Sequence, residues 1–333
     1  MSGSRHSNAF IFWSQSMNSS YELNFPRATT KSPAKGVIKN RVEDFYVEEL
    51  LYSDSAGEGE HVWLWLEKQG QNTEYVAEKI AQFANVKLMD VGFSGLKDRW
   101  AVTRQWFSVY LGNKPEPVWS DLDLEGVEIL KHDLHLKKLR RGQHSANKFK
   151  IVIRSLEQAE FVEEELKMIR ERGFPNYFGA QRFGFNGANL ERGERFFSGK
   201  LKASRSQRSF YLSAARSFLF NLNLSRSIVQ GTWISNELGG PLYGDESPGV
   251  NELSEVERDV LKSYPVFAGA IYKNRLKLER RLYSIVPDNF SWKLDNNILT
   301  LSFELPPGCF ATSLISEFME YDVGLGAAKS GSV

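Results

Sequence analysis

Alternation and helical spacing divide the chain into elements before any chemistry is considered. In His61-Val62-Trp63-Leu64-Trp65-Leu66, Val62, Leu64 and Leu66 stand opposite Trp63 and Trp65, which predicts a strand covered on both faces. Val76, Ile80 and Phe83 follow at i, i+4 and i+7 with Ala77 and Ala84 beside them, a core-facing helical stripe opened by Asn72 or Thr73 as N-cap. Thr103, Gln105, Phe107 and Val109 then alternate with Val102, Arg104, Trp106 and Ser108 as a further strand. Upstream, Val37, Lys39 and Arg41 alternate with Gly36, Ile38 and Asn40, and residues 44–49 form a second strand-like piece. Phe149, Ile151 and Ile153 alternate with Lys148, Lys150 and Val152; Leu299, Leu301, Phe303 and Leu305 do the same near the C-terminus. Helices are predicted over 157–172, with Phe161, Val162, Leu166 and Ile169 inward and Gly173 as the stop, and over 213–229. Two more follow, one opened by the Ser254/Glu257 capping box and one lined by Ala311, Leu314, Ile315 and Phe318. Strands and helices in this order predict an α+β layer structure on a mixed sheet.

The breaks between these elements suggest the domains. A chain of 333 residues exceeds one ordinary domain. Lys200, Lys202, Arg205 and Arg208 read as a basic, serine-rich linker, and residues 239–244 as a turn-dense loop. After about Pro287 the chain returns to its first domain. The division expected is therefore a tail over 1–24, a main domain from 25–201 and 288–322, an inserted smaller α/β domain over 202–287, and a tail over 323–333. Composition changes this picture little: 41% hydrophobic and 25% charged residues are ordinary for a globular chain. A net charge of +1 means that any nucleic-acid surface must be local. The single cysteine, Cys309, fits a reducing compartment. No apolar run approaches the roughly 20 residues of a membrane span. The patch at 10–13 is shorter than the about 7–15 residues of a signal peptide's apolar core. A cytoplasmic monomer without membrane association is expected.

Candidate chemistry centres on the stretch from Gly92 to Trp106. Gly92 and Gly95 suggest a turn whose backbone angles other residues avoid. One carboxylate, Asp98, stands between Lys97 and Arg99, which favours its charged form. Such a group can act as nucleophile, general base or cation anchor, or can simply cap the turn and pair with Arg99. Asp44, Glu48 and Glu49 read as a solvated strand edge rather than a metal loop, since no coordination-loop pattern accompanies them. His132 and His135 have a helical ligand spacing but no third His or Cys, so no metal is expected. Lys131, Lys137, Lys138, Arg140, Arg141, Lys148 and Lys150 form a dense basic segment that suits either a phosphate backbone or a protected strand edge. Residues 175–184 pack three aromatics, a proline and two glycines into an irregular loop, where a ring beside Asn or Arg can stack on a nucleobase or form a buried hinge.

Together these segments resemble the TruD family of transfer RNA pseudouridine synthases. Gly95-Leu96-Lys97-Asp98-Arg99-Trp100-Ala101-Val102-Thr103-Arg104-Gln105 is similar to the family's Gly-x-Lys-Asp-(Arg/Lys)-x-Ala-Val-Thr-x-Gln segment. Residues 175–184 are similar to its Pro-Asn-Tyr-Phe-Gly-x-Gln-Arg-Phe-Gly segment. Lys39 ahead of Glu43-Asp44-Phe45-Tyr46-Val47-Glu48, then Lys138-Leu139-Arg140-Arg141-Gly142, Leu212-Ser213-Ala214-Ala215-Arg216-Ser217 and residues 303–312 match further family segments in order. The resemblance covers about residues 25–320. It departs in the insertion: family members carry a further strand-rich piece before the Gly-Pro-Leu loop, where this chain has only residues 230–238. The resemblance implies a pseudouridine-synthase catalytic domain, isomerisation of uridine 13 of tRNA, and no cofactor or metal. It makes Asp98 the catalytic carboxylate, Lys39 the lysine holding it charged, and Phe178 the aromatic packing on the target base. Asn176 then positions the loop or the base, Phe45 supports the pocket, and Gln105 and Gln181 either donate hydrogen bonds there or, the reading favoured, serve ordinary structural bonding. Lys137, Lys138, Arg140, Arg141, Lys148, Arg205 and Arg208 are the RNA-backbone candidates. The other function class compatible with these residues is a non-catalytic RNA-binding or RNA-folding protein on the same scaffold.

Overall fold

The structure, a computed structural model, describes residues 21–51, 57–247 and 252–324. The aromatic patch at 10–13 and part of the turn-rich 53–60 loop lie outside them. In chain order, β1 (Ala34–Ile38), β2 (Phe45–Leu51), β3 (His61–Gln69), α1 (Thr73–Phe83), β4 (Val91–Phe93) and β5 (Val102–Tyr110) come first. β6 (Val127–His135), β7 (His144–Glu157) and α2 (Val162–Arg172) follow, then β8 (Phe174–Pro175), α3 (Ala188–Phe197), α4 (Arg205–Val229) and β9 (Gly240–Leu242). The remainder is α5 (Glu255–Lys262), α6 (Pro265–Lys273), β10 (Glu279–Arg281), β11 (Ser284–Ile285), β12 (Asp288–Asp295), β13 (Ile298–Leu305), α7 (Ala311–Phe318) and β14 (Met319–Val323).

The described residues form two compact units: those within 33–170, 286–311 and 319–324 make one, and those within 21–32, 171–285 and 312–318 the other. Both cuts differ from those expected from the sequence. Residues 171–201 cluster with the helical unit because α3 packs on α4: a Cβ at Gly193 would lie 3.2 Å from the Tyr211 Cβ. The expected N-terminal tail also ends earlier, since Tyr21 is buried, donates its hydroxyl to Glu194 at 2.8 Å and stacks on Phe267. At the other end Val323 still pairs with Ile38 in the sheet.

The first unit is one mixed sheet. Its main path runs β12-β13-β7-β2-β5-β3-β6, with β1 between β14 and β7 and β4 on β5. β2 and β5 are parallel neighbours, with Val47 beside Thr103; β3 and β5 are antiparallel, with Leu66 opposite Gln105. Period-two alternation sends Val62, Leu64, Leu66, Phe107 and Val109 to the face covered by Val76, Ala77, Ile80 and Ala81 of α1. Trp63, Trp65 and Trp106 occupy the opposite face. Across β2, β7 and β13, Phe45, Phe149 and Phe303 continue the buried layer. Asp44, just ahead of β2, and Glu49 on it are not a solvated edge, because β2 lies inside the sheet: Asp44 is buried and takes a two-pronged contact from Arg154 at 2.7 and 2.9 Å, and Glu49 is buried too. His132 and His135 lie on strand β6, not a helix; His135 stacks on Trp63.

The second unit is organised on α4. Its N-terminus is Ser204, whose Oγ accepts from Gln207 N at 3.3 Å while Gln207 returns a bond to Ser204 N, so the expected linker residues Arg205 and Arg208 are helical. Phe218, Leu219, Phe220 and Leu224 form its buried side. The expected loop at 239–244 contains β9, which pairs with β10, and Arg216 of α4 holds it by donating to Leu242 O at 2.8 Å and Lys277 O at 2.9 Å. In α2, Val162, Leu166 and Ile169 are buried as expected, whereas Phe161 precedes the helix and is exposed.

Candidate active site

The Asp98 turn joins β4 to β5 and is held from below by a hydrogen-bond chain. Gln105, fully buried on β5, donates from Nε2 to Gly95 O at 3.2 Å. Its Oε1 accepts from Thr73 Oγ1 at 3.0 Å, and Thr73 Oγ1 accepts from Lys97 N at 3.0 Å. Gly142 N caps Ser94 O at 2.8 Å. The glycines serve differently from the expectation. Gly92 and Gly95 are absent from the positive-φ residues; Gly92 is needed because a Cβ there would meet Leu139 O at 2.3 Å.

Asp98 keeps 29% of its side chain exposed. Its Oδ1 accepts from Trp100 N at 3.0 Å, which caps the turn, and its Oδ2 accepts from the buried Lys39 ammonium. The cations flanking it in sequence are not its partners. Lys97 pairs with Glu49 at 2.8 Å, and both side chains are buried. Burial pushes the Glu49 carboxyl up, opposed by the Lys97 charge and hydrogen bond. Arg99 donates from Nε to Gly70 O at 2.9 Å. Lys39 was expected on a strand, yet β1 stops at Ile38; Lys39 takes φ +53°, and its ammonium lies 4.5 Å from the centre of the Phe45 ring. Lys39, Phe45, Asp98 and Gln105 therefore belong to one constellation in the sheet unit.

Two groups in this constellation were missed. Lys68 is fully buried and donates to the carbonyls of Gln71, Lys97 and Asp98. His144, buried beside the Gly95 position, has its pKa lowered to about 4 by burial and then by the Lys97 charge.

In the helical unit, Asn176 is buried, with its backbone N donating to Tyr283 O at 2.8 Å and its Nδ2 to Leu282 O at 2.9 Å. Arg281 donates to both its carbonyl and its Oδ1. Phe178 is clamped by Asn221 of α4, which accepts from Phe178 N at 2.9 Å and donates to Phe178 O at 3.0 Å. The Arg281 guanidinium lies 4.1 Å from the centre of the Phe178 ring, and Phe220 meets it edge-on. Asn221 and Arg281 are thus the supports that sequence reasoning overlooked. Gln181 is exposed on the 3-10 turn Ala180–Phe183.

Of the basic candidates, Lys137, Arg140 and Arg141 are exposed on the β6–β7 connection, where Arg141 covers Phe93 at 4.1 Å and Lys138 donates to Met89 O. Lys148 is set apart from them on β7, opposite Glu48 on one side and Glu304 on the other. Arg205 and Arg208 are exposed in the first turns of α4. Among the described residues, no group of three or more His, Cys, Asp or Glu is arranged to hold a metal ion, and no helix is long and apolar enough to cross a membrane.

This mixed sheet with appended helices is the α+β fold of the pseudouridine synthases. It superimposes on the crystal structure of a candidate tRNA pseudouridine synthase D (TruD) from Methanosarcina mazei with a TM-score of 0.64, over 88% of this chain and 95% of that one, at 17% identity. The family description "tRNA pseudouridine synthase D (TruD)" matches residues 25–203. Similar proteins include tRNA pseudouridine synthase D of Cellvibrio japonicus, 40% identical over 90% of this chain and 94% of that one. The protein of the same name from Pseudomonas syringae is 36% identical over 94% of this chain and 99% of its own. The chain belongs to the TruD family of tRNA pseudouridine synthases, and it is an isomerase.

Proposed function

We propose that this protein converts uridine 13 of tRNA to pseudouridine, with Asp98 as its catalytic carboxylate. The observation that carries this reading is the Asp98–Lys39 pair: a partly exposed carboxylate on a braced turn, charged against a buried ammonium. The reaction breaks the bond between ribose C1′ and uracil N1, turns the base and rejoins C1′ to C5; the proton leaving C5 balances the one gained at N1. One ionised carboxylate at the ribose–base junction is the group this chemistry needs from the protein. The base must be unstacked and held away from bulk water while detached. Phe178, Asn176 and Phe45 are assigned to the aromatic and polar support of that base, following the family segments they match. The relatives' names supply tRNA as the substrate, and the family's target supplies uridine 13. Lys137, Lys138, Arg140, Arg141, Arg205 and Arg208 are assigned to phosphates.

Asp98→Asn should abolish pseudouridine formation in a tRNA transcript while leaving tRNA affinity within about twofold, since one uncharged turn residue contributes little to phosphate contact. Sequencing of pseudouridine positions in RNA from cells with and without the active protein tests the target at the same time. Pseudouridine formed by Asp98→Asn, or a loss mapped to another position, would overturn the corresponding half of the proposal.

A further inference from the structure

We infer that Lys68 is a positioning residue for the reaction, and that its buried ammonium fixes the backbone, and through it the carboxylate, of Asp98. This rests on the assignment of Asp98 as the catalytic group.

Lys68 lies on β3 in register with Thr103 of β5, at the parity of Val62, Leu64 and Leu66, so its side chain points to the covered face of the sheet. It is 0% exposed. A lysine is almost never fully buried unless its charge is satisfied. An ammonium has three N–H donors. Here the acceptors are Gln71 O at 2.9 Å, Asp98 O at 2.9 Å and Lys97 O at 3.4 Å. All three are main-chain carbonyls, and two belong to consecutive residues of the Asp98 turn. The side chain therefore occupies the position that a small bound cation would take, with the turn wrapped against it.

The location makes this more than core packing. A peptide carbonyl held at Asp98 sets the orientation of the Asp98 Cα–Cβ bond and hence of its carboxylate. The β3–α1 connection is tied to the same turn independently, through Gly70 N to Arg99 O at 3.1 Å and Arg99 Nε to Gly70 O at 2.9 Å. Loss of the Lys68 ammonium thus leaves the connection attached but frees the Asp98 peptide. A displacement of about 1 Å at a reacting group costs on the order of 100-fold in rate.

Burial lowers the Lys68 pKa to about 8; the Asp98 charge opposes this shift and the Lys97 charge adds to it. Those two are the charged groups of the turn that face it. Lys97 is itself paired with Glu49, and His144 changes charge near pH 4, well outside this window. Below about pH 8 Lys68 carries its third proton and the clamp is complete; above it, one donor and the charge are lost.

The test is single-turnover isomerisation of saturating tRNA transcript from about pH 6 to pH 10. The wild-type rate should fall as the pH rises through about 8. Lys68→Met should be about 100-fold slower at neutral pH, with unchanged tRNA affinity and without the alkaline fall. Lys68→Arg, which keeps a charge that does not titrate in this range, should recover part of the rate and also lack the fall. A Lys68→Met rate equal to wild type, or an alkaline fall that persists in Lys68→Arg, overturns the inference. If Lys68→Met does not fold, the wild-type and Lys68→Arg profiles decide. Asp98→Asn run alongside separates the two levels: activity there refutes the catalytic aspartate, whereas an inactive Asp98→Asn with a wild-type Lys68→Met refutes the positioning role alone.

Discussion

Lys39 is held at φ +53°, a left-handed conformation that costs a non-glycine residue about 1–2 kcal/mol. The turn of the backbone after Ile38 is what carries its ammonium over the Phe45 ring and onto Asp98. Strain of this kind persists where the surroundings fix it and often serves a site. Asparagine accepts the left-handed region more readily than lysine does. Lys39→Asn should therefore keep or slightly raise the melting temperature while lowering the isomerisation rate about 100-fold, as for loss of a charged partner at a reacting group. A rate that stays at the wild-type level would mean that Lys39 has no part in the reaction. The sequence carried Asp98, Lys39 and Gln105 as family matches, but it misassigned the partners of Asp98, because residues adjacent in sequence point in different directions from an extended segment. Lys68 and Glu49 were legible and were passed over: each continues a buried strand parity, Leu64-x-Leu66-x-Lys68 and Phe45-x-Val47-x-Glu49, and a charge at a core parity is a signal in itself. The left-handed turn at Lys39 left no such trace, since nothing in Ile-Lys-Asn requires it.

Between elements, periodicity predicted what packing alone decides. β3, β5, β7, β13, α1 and α7 follow from alternation or helical stripes whose apolar positions are buried. α4 began earlier than its apolar stripe, because its first turns are polar and only the Ser204/Gln207 box marks the start. β4, β9 and β10 are three-residue strands, too short for a period to show. At the start of β7, His144 lies buried next to the Asp98 turn, near Lys97, and Asn147 Nδ2 donates to its Nε2 at 3.2 Å. Its pKa is lowered from 6.5 to about 4, so the unfolded chain takes up this proton first and stability is lost as the pH falls through that window. By pH 5 the loss is about 2 kcal/mol. Between pH 7 and pH 5 the unfolding free energy of the wild type should therefore fall by about 2 kcal/mol more than that of His144→Gln, measured by urea titration. Equal losses in the two proteins would show that His144 is protonated in the fold.

At the scale of the whole chain, a net charge of +1 cannot hold an RNA, so affinity must come from local clusters whose charges are not already neutralised. The cluster drawn from the sequence divides in the fold. Arg140 and Arg141 project from the β6–β7 connection, Arg141 at 3.5 Å from the exposed Glu74, while Lys148 stands on a strand face in register with Glu48 and Glu304. Arg205 and Arg208 occupy the exposed N-terminal turns of α4, where the helix dipole adds positive potential. These positions lie in different compact units, so each can be tested without disturbing the other's fold. Binding of tRNA measured against salt should lose about one unit of log–log slope for each phosphate contact removed. Arg140→Gln/Arg141→Gln and Arg205→Gln/Arg208→Gln should each flatten the slope by up to about two units and weaken affinity. Lys148→Gln, whose cross-strand neighbours are both carboxylates, should leave the slope within a few tenths of the wild-type value, because a lysine held among carboxylates neutralises no phosphate on binding. A slope unchanged in the Arg140/Arg141 variant but lowered in Lys148→Gln would move the RNA path onto the open face of the sheet and off the connection that adjoins the Asp98 turn through Gly142 and Ser94.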